Sequence, residues 1–99
     1  MKELKETSKV KIDVKIDVKI DLIITGISFK AEGNNIDEAL ANLSLSWDKI
    51  KNKGVMTITQ GRKTLERLFY RKQLRMIFAN KLTRHIWAKR LEFFLSEVK

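Results

Sequence analysis

The stretch VKIDVKIDVKIDLII, residues 10–24, decides the fold of this chain. Apolar residues, most of them β-branched, occupy its even positions, and Lys or Asp occupies the odd positions as far as Asp21. Strict alternation with a period of two is typical of a β-strand with one buried and one solvated face. The sequence therefore predicts a long strand over residues 9–25.

A straight strand of this length is too long for a domain of 99 residues. Sixteen residue steps at ~3.3 Å reach roughly 53 Å, whereas a 100-residue domain has a radius of gyration of about 13 Å. No Asn-Gly, Asp-Gly or Pro-Gly pair interrupts the stretch to form a hairpin within it. The strand is therefore expected to bend or to pair outside its own domain.

The polar face of the strand indicates how two copies would pair. In two antiparallel strands centred on Ile16, every polar pair across the strands is Lys with Asp, which is favourable. We therefore predict a homodimer with a strand contact at Val14, Lys15, Ile16, Asp17 and Val18. A slip of four residues preserves the pairing, so the repeat does not fix one register. A solvated face with weak ion pairs is the alternative.

Glycines divide the next part of the chain, which contains no proline. Gly26 is expected to bend or end the first strand, and residues 27–31 continue the alternation as a short second strand. Gly33 followed by Asn34 is typical of a turn. Two short strands can therefore lie side by side before the first helix.

A capping signal and an apolar stripe predict the first helix. Asn35 with Glu38 three residues later is a variant of the capping box. Apolar residues continue at helical spacing from there, and Gly54 is expected to end the helix. Residues 55–59 then predict a short strand.

The last third of the chain is predicted to be helical. Residues 62–99 contain neither glycine nor proline, and their apolar residues change sides near Asn80, which predicts a break with Thr83 as a second cap. The expected organisation is a flexible segment at residues 1–8 followed by one domain at residues 9–99. Its fold class is α+β, with a long N-terminal antiparallel strand, one or two short strands, and two to three helices packed on one sheet face.

Composition limits the classes of protein to consider. With 43% hydrophobic and 33% charged residues, the chain is globular rather than disordered. The lack of cysteine removes disulfides and thiolate chemistry and fits a reducing compartment. The charged N-terminus has no apolar signal core, and the longest mainly apolar stretch, residues 22–29, is too short to span a bilayer. We therefore expect a soluble cytoplasmic protein with no membrane partner.

The positive charge is concentrated in the second half of the chain. Residues 51–99 contain thirteen Lys or Arg against three acids, whereas residues 1–50 contain eight against nine. The halves therefore carry about +10 and −1 of the net charge of +9. An electrostatic field this uneven attracts polyanions or acidic proteins.

A basic ridge is the sharpest candidate site in the sequence. Four bases recur at intervals of four, which would align them along one side of a helix over about 18 Å. They are Lys63, Arg67, Arg71 and Arg75. Arginine forks suit phosphate oxygens. The predicted nucleic-acid-binding residues are Arg62, Lys63, Arg67, Tyr70, Arg71, Arg75, Lys81 and Arg84. The alternative is a solvated helix face whose counter-charges come from acids elsewhere in the chain.

A second anion-binding signal lies just before the ridge. The segment Gln60-Gly61-Arg62-Lys63-Thr64 is similar to the end of a phosphate-binding loop. Arg62 separates the glycine from Lys63, which departs from that pattern. The segment therefore predicts only a local anion site at the start of the predicted helix. It does not predict nucleotide hydrolysis.

Aromatic residues and the single histidine complete the candidates. Tyr70, Phe78 and Trp87 lie among the bases, where they could stack on nucleobases. Packing in the core is the favoured interpretation, with Tyr70 as the best exception. His85 has no carboxylate at helical spacing, so we expect no metal site. No catalytic residue and no cofactor is predicted.

The sequence thus favours a small basic protein that binds DNA or RNA by neutralising phosphates, with low sequence specificity and no enzymatic activity. The main alternative is a protein-interaction module or inhibitor that binds an acidic partner protein, as compact proteins of viruses and mobile elements often do. A second alternative is an assembly protein that joins sheets through its long N-terminal strand.

Overall fold

The computed structural model describes residues 17–98 as one antiparallel sheet with helices. Its elements are β1 (Val18–Ile24), β2 (Ile27–Gly33), α1 (Ile36–Asn42), a 3-10 helix (Trp47–Lys49), β3 (Lys53–Gln60), β4 (Lys63–Tyr70), α2 (Arg71–Ile77) and α3 (Lys81–Ser96). The strand order is β2-β1-β3-β4, and each neighbouring pair is antiparallel. The predicted α+β class is confirmed. The predicted flexible segment at residues 1–8 lies outside the described residues.

Alternation along β1 divides the sheet into a buried face and an open face. The residues at its even positions are buried: Val18, Ile20, Leu22 and Ile24. Helices α1 and α3 cover this face with apolar side chains that include Leu40, Leu91 and Leu95. The core therefore lies between the helices and one face of the sheet, as predicted.

Strand β1 is central in the sheet, which limits the predicted pairing between copies. Val18 pairs with Gly33 of β2 on one side and with Gln60 of β3 on the other. Both backbone edges of Val18 are therefore used within the chain and cannot join a second copy. Of the other predicted contact residues, Asp17 precedes β1, and Val14, Lys15 and Ile16 lie outside the described residues, where strand pairing stays a prediction.

A two-residue turn joins β1 to β2. Thr25 and Gly26 both have positive φ, 49° and 82°, as the type I′ turn of a tight hairpin requires. Ile24 and Ile27 pair directly across this turn. The prediction that Gly26 ends the first strand before a second one is confirmed.

The predicted cap of α1 is confirmed. Asn35 Oδ1 accepts a hydrogen bond from the Glu38 N–H at 2.8 Å, and Glu38 Oε1 accepts one from the Asn34 N–H at 2.9 Å. These two bonds satisfy N–H groups that have no partner within the helix.

Helix α1 ends at Asn42, so its predicted continuation to Gly54 is wrong. The Asn42 side chain donates to the carbonyl of Glu32 at 2.8 Å, which attaches the end of the helix to β2. Leu43 then has extended backbone, and both it and Ile50 reach the core from a loop. Apolar residues at helical spacing therefore do not distinguish a continued helix from a loop that reaches the same core.

Residues 63–70 form strand β4 rather than the predicted helix. All eight residues pair with β3, and Leu65 and Phe69 are buried four positions apart. A spacing of four fits one face of a strand as well as one face of a helix. Because no glycine or proline separates β4 from α2, the sequence contains no signal for the change of structure between them.

The predicted break between the last two helices is confirmed. Helix α2 ends at Ile77 and α3 begins at Lys81. The cap is Asn80 rather than Thr83, since Asn80 Oδ1 accepts from the N–H of Thr83 at 2.8 Å.

Candidate nucleic-acid interface

The predicted basic ridge is divided between a strand and a helix. Lys63 and Arg67 lie on β4. Arg71 and Arg75 lie on α2. Residues four apart are ~13 Å apart along a strand but ~6 Å apart along a helix. One continuous helical ridge is therefore wrong, because residues 63–70 are paired in the sheet.

Arg62 and Lys63 lie at the hairpin between β3 and β4, where no helix begins. Arg62 follows Gly61 in the turn and is exposed. The Lys63 ammonium donates to the carbonyl of Ser96 at 3.4 Å, at the end of α3 where a cation is favoured. The predicted anion site at a helix N-terminus is therefore wrong at this position.

Arg67 is held on an aromatic ring. It is paired in register with the buried Met56, so its side chain starts from the sheet face that the helices cover. The guanidinium lies 4.1 Å from the centroid of the Phe94 ring on α3. Stacking of this kind orders a long side chain while the N–H groups at its edge stay available to acceptors.

Arg90 repeats this contact on α3. Its guanidinium lies 5.2 Å from the ring centroid of Trp87. Trp87 in turn meets the buried Phe69 edge-on, with the centroids 5.8 Å apart. Arg90 was missed in the sequence analysis, although residues three apart on a helix are neighbours and Trp87 with Arg90 has that spacing.

Arg67 and Arg90 line the same groove between β4, α2 and α3, which we call the arginine groove. Its volume is about 220 Å³. The other lining residues are Leu68, Phe69, Gln73, Trp87, Leu91 and Phe94. The groove thus has two cations and no acid in its lining. Among residues 17–98, the observed ion pairs involve Asp37 with Arg84 and His85, and neither groove arginine.

Arg71 and Arg75 lie outside the arginine groove, around Trp47. Their guanidinium carbons are 5.9 and 5.1 Å from the Trp47 ring centroid. Arg71 Nε also donates to the carbonyl of Ile50 at 2.8 Å, in a partly buried position. Arg71 therefore fastens α2 to the loop before β3, whereas Arg75 is exposed.

Arg84 is neutralised by an acid of α1. Its Nε donates to Asp37 Oδ1 at 3.0 Å, and His85 Nδ1 lies 3.5 Å from the other carboxylate oxygen. Burial would raise the pKa of Asp37, but hydrogen bonds and charge from Arg84 and His85 outweigh burial and hold the pKa below 3.8. The cluster joins α1 to the first turn of α3, which begins with the exposed Lys81.

The three aromatic candidates differ in exposure. Phe78 is half-buried against Trp47, with the ring centroids 6.5 Å apart, and Trp87 is half-buried in the arginine groove. Tyr70 is 50% exposed at the junction of β4 and α2. Packing of Phe78 and Trp87 against the core, and exposure of Tyr70, agree with the expectation.

Within residues 17–98, no group of three or more histidine and acidic side chains is placed to hold a metal ion. None of the helices in that part of the chain combines the length and the apolar character needed to cross a membrane. Comparison of the chain with family models, curated proteins and solved structures finds no match. Function is therefore inferred from charge and geometry.

Proposed function

We propose that this protein binds DNA or RNA by placing backbone phosphates in the arginine groove, with low sequence specificity and no enzymatic activity. The observation that carries the proposal is the pair of arginines, Arg67 and Arg90, each held on an aromatic ring of one groove that no acid lines.

Ring stacking prepares both arginines for phosphate oxygens. A free arginine side chain loses about 2 kcal/mol of rotamer entropy when it is fixed. Phe94 and Trp87 already restrict Arg67 and Arg90, so less of that cost remains for binding. The planar guanidinium edge then offers paired donors to a phosphate, and such charge-assisted bonds are about twice as strong as neutral ones.

The charge of the chain favours a polyanion as the ligand. Residues 17–98 contain fifteen Lys or Arg against nine Asp or Glu, and the whole chain has a net charge of +9. Only one of those fifteen bases, Arg84, is in an ion pair observed within the described residues. Release of counterions from a nucleic acid would then contribute much of the binding free energy.

The geometry favours backbone contacts over base stacking. One face of the Phe94 ring and one face of the Trp87 ring are covered by guanidinium groups. A nucleobase that stacked on those faces would have to displace an arginine. Phosphates are reached without any displacement, so we propose modest discrimination between single strands and duplexes.

Fluorescence anisotropy with labelled single-stranded and duplex oligonucleotides tests this proposal. At about 50 mM salt we expect binding in the micromolar range or tighter, and a steep loss of affinity at about 200 mM. The affinities for single strands and duplexes should be similar. The absence of binding to either oligonucleotide at the lower salt concentration would overturn the proposal and make an acidic protein the next partner to seek.

A further inference from the structure

The open face of the sheet carries a row of exposed apolar residues. Leu68, Val55 and Ile23 are direct neighbours on β4, β3 and β1. Their exposed fractions are 47%, 38% and 43%. Tyr70, two positions after Leu68 on the same strand, extends the row. The helices of residues 17–98 pack on the opposite face, so they leave this row uncovered.

The charged residues of the same face balance one another. Among the residues paired in the strands, its three bases are Lys19, Lys30 and Lys53, and its three acids are Asp21, Glu32 and Glu66. Four of the six alternate in sign across the strands, since Lys19 is opposite Glu32 and Asp21 is opposite Lys30. A face with no net charge is unusual on a chain of net charge +9.

One carboxylate on this face has an unused acceptor. Asp21 Oδ1 is buried and accepts no hydrogen bond from any residue between 17 and 98. It adjoins a shallow depression of about 260 Å³ that Lys30, Thr57 and Thr59 help to line. A buried carboxylate oxygen without a donor costs free energy, and a lysine from outside the described chain would remove that cost.

We propose that a second copy of this chain docks on the open face, with the two sheets stacked face to face. Two copies with this net charge repel each other, and the balanced face lets them approach with the least repulsion. The apolar row buries itself against the same row of the partner, and each copy offers both lysines and acids to the other. A nucleic acid, in contrast, gains no net attraction from a neutral face.

This dimer differs from the strand pairing predicted from the N-terminal repeat. Over residues 18–23, β1 is paired on both sides, so its open face rather than its edge is available. Four strands at ~4.8 Å spacing and ~3.3 Å per residue give a face of roughly 19 by 25 Å. Because so small an interface binds weakly, the dimer should depend on protein concentration. Of the residues that line the arginine groove, only Leu68 lies on the docked face.

Sedimentation velocity across micromolar concentrations, on protein freed of nucleic acid, tests the proposal. We expect wild-type protein to show a reversible monomer–dimer equilibrium and Val55→Glu, at the centre of the apolar row, to be monomeric. The matched control is Leu82→Glu, which places the same charge on an apolar side chain of α3 that is 69% exposed. It should dimerise as the wild type does. A wild-type protein that remains monomeric throughout would overturn the proposal, as would dissociation by Leu82→Glu with none by Val55→Glu.

Cross-linking decides the result if Val55→Glu fails to fold. Because the chain has no cysteine, Val55→Cys introduces a single thiol that a short bis-maleimide can join to its counterpart in a second copy. We expect a covalent dimer from Val55→Cys and much less from Leu82→Cys. The reverse pattern would show that copies meet through α3, and equally low yields from both would show that the open face is not an interface.

Discussion

The guanidinium of Arg67 on β4 lies 4.1 Å from the centroid of the Phe94 ring on α3. This contact joins the edge strand of the sheet to the last helix and fixes a permanent positive charge at the rim of the arginine groove. Arg90 over Trp87 places a second fixed charge in the same groove. Phosphate binding therefore depends on arginines whose positions are set before a ligand arrives.

Replacing Arg67 by Lys tests whether oligonucleotide affinity depends on the position of the Arg67 guanidinium or only on its charge. Arg67→Lys keeps the net charge, but loses the planar fork and part of the contact with Phe94, which at exposed sites is worth about 0.5–1 kcal/mol. We expect oligonucleotide affinity to fall about threefold, measured by anisotropy. The control is Arg62→Lys in the exposed β3–β4 turn, which should bind as the wild type does. Equal affinities for the two variants would mean that only net charge matters.

Arg71 is expected to affect stability more than binding. Its Nε donates to the Ile50 carbonyl at 2.8 Å in a partly buried position. Arg71→Gln should therefore lower the free energy of unfolding in urea by about 1–2 kcal/mol. Lys72→Gln changes the exposed neighbour and should stay within about 0.5 kcal/mol of the wild type. An Arg71→Gln protein as stable as Lys72→Gln would show that the bond contributes nothing measurable.

The Asp37 cluster predicts a pH dependence of stability. The folded-state pKa of Asp37 lies below its ordinary value of 3.8, so its ionised form stabilises the fold above about pH 4 and this stabilisation is lost as pH falls through the folded pKa. Asp37→Asn should lower the free energy of unfolding at neutral pH by roughly 1 kcal/mol. The difference from the wild type should shrink below about pH 4.

Removing the partner of Asp37 provides the second arm of that experiment. Arg84→Gln takes away the donor at 3.0 Å and should weaken stability over the same pH window. Denaturation curves at several pH values measure both variants. If the gap between wild type and Asp37→Asn stays constant down to acidic pH, ionised Asp37 is not the source of the stabilisation.

The hairpin between β1 and β2 can be stabilised by one substitution. Thr25 has φ 49°, a left-handed conformation that costs an ordinary L-residue roughly 1–2 kcal/mol. Asn tolerates it better, and Asn-Gly is the preferred pair for this turn. Thr25→Asn should therefore raise the free energy of unfolding by about 0.5–1 kcal/mol. Thr59→Asn, the same change within β3, should lower it, because Asn is depleted in strands. A destabilised Thr25→Asn protein would contradict this interpretation of the turn.

Signals within a few residues of one another could be read from the sequence. The alternation around Val18–Ile24 gives both the strand and its buried side, because a period of two admits no other regular structure. Asn35 marks the first helix correctly, since its cap involves a residue only three positions away. The break near Asn80 was predicted from the change of sides of the apolar residues, although its cap is Asn80 rather than the predicted Thr83.

Contacts between distant segments could not be read from the sequence. Residues 63–70 keep a spacing of four that suits a strand and a helix alike, and only pairing with β3 decides between them. That pairing moves Arg67 away from Arg71 and towards Phe94. The neutralisation of Arg84 also comes from Asp37, forty-seven positions earlier. Which bases lie together in the candidate site could therefore be determined only from the fold.

The most direct measurement is the salt dependence of oligonucleotide affinity for two double variants with the same loss of charge. Arg67→Gln with Arg90→Gln removes both cations of the arginine groove, whereas Lys49→Gln with Lys51→Gln removes two exposed bases outside it. The groove variant should lose at least about tenfold in affinity, and its slope of log affinity against log salt should fall by about two, one for each phosphate contact. The lysine variant should keep a slope close to that of the wild type. Equal slopes for the two double variants would contradict phosphate binding in the arginine groove.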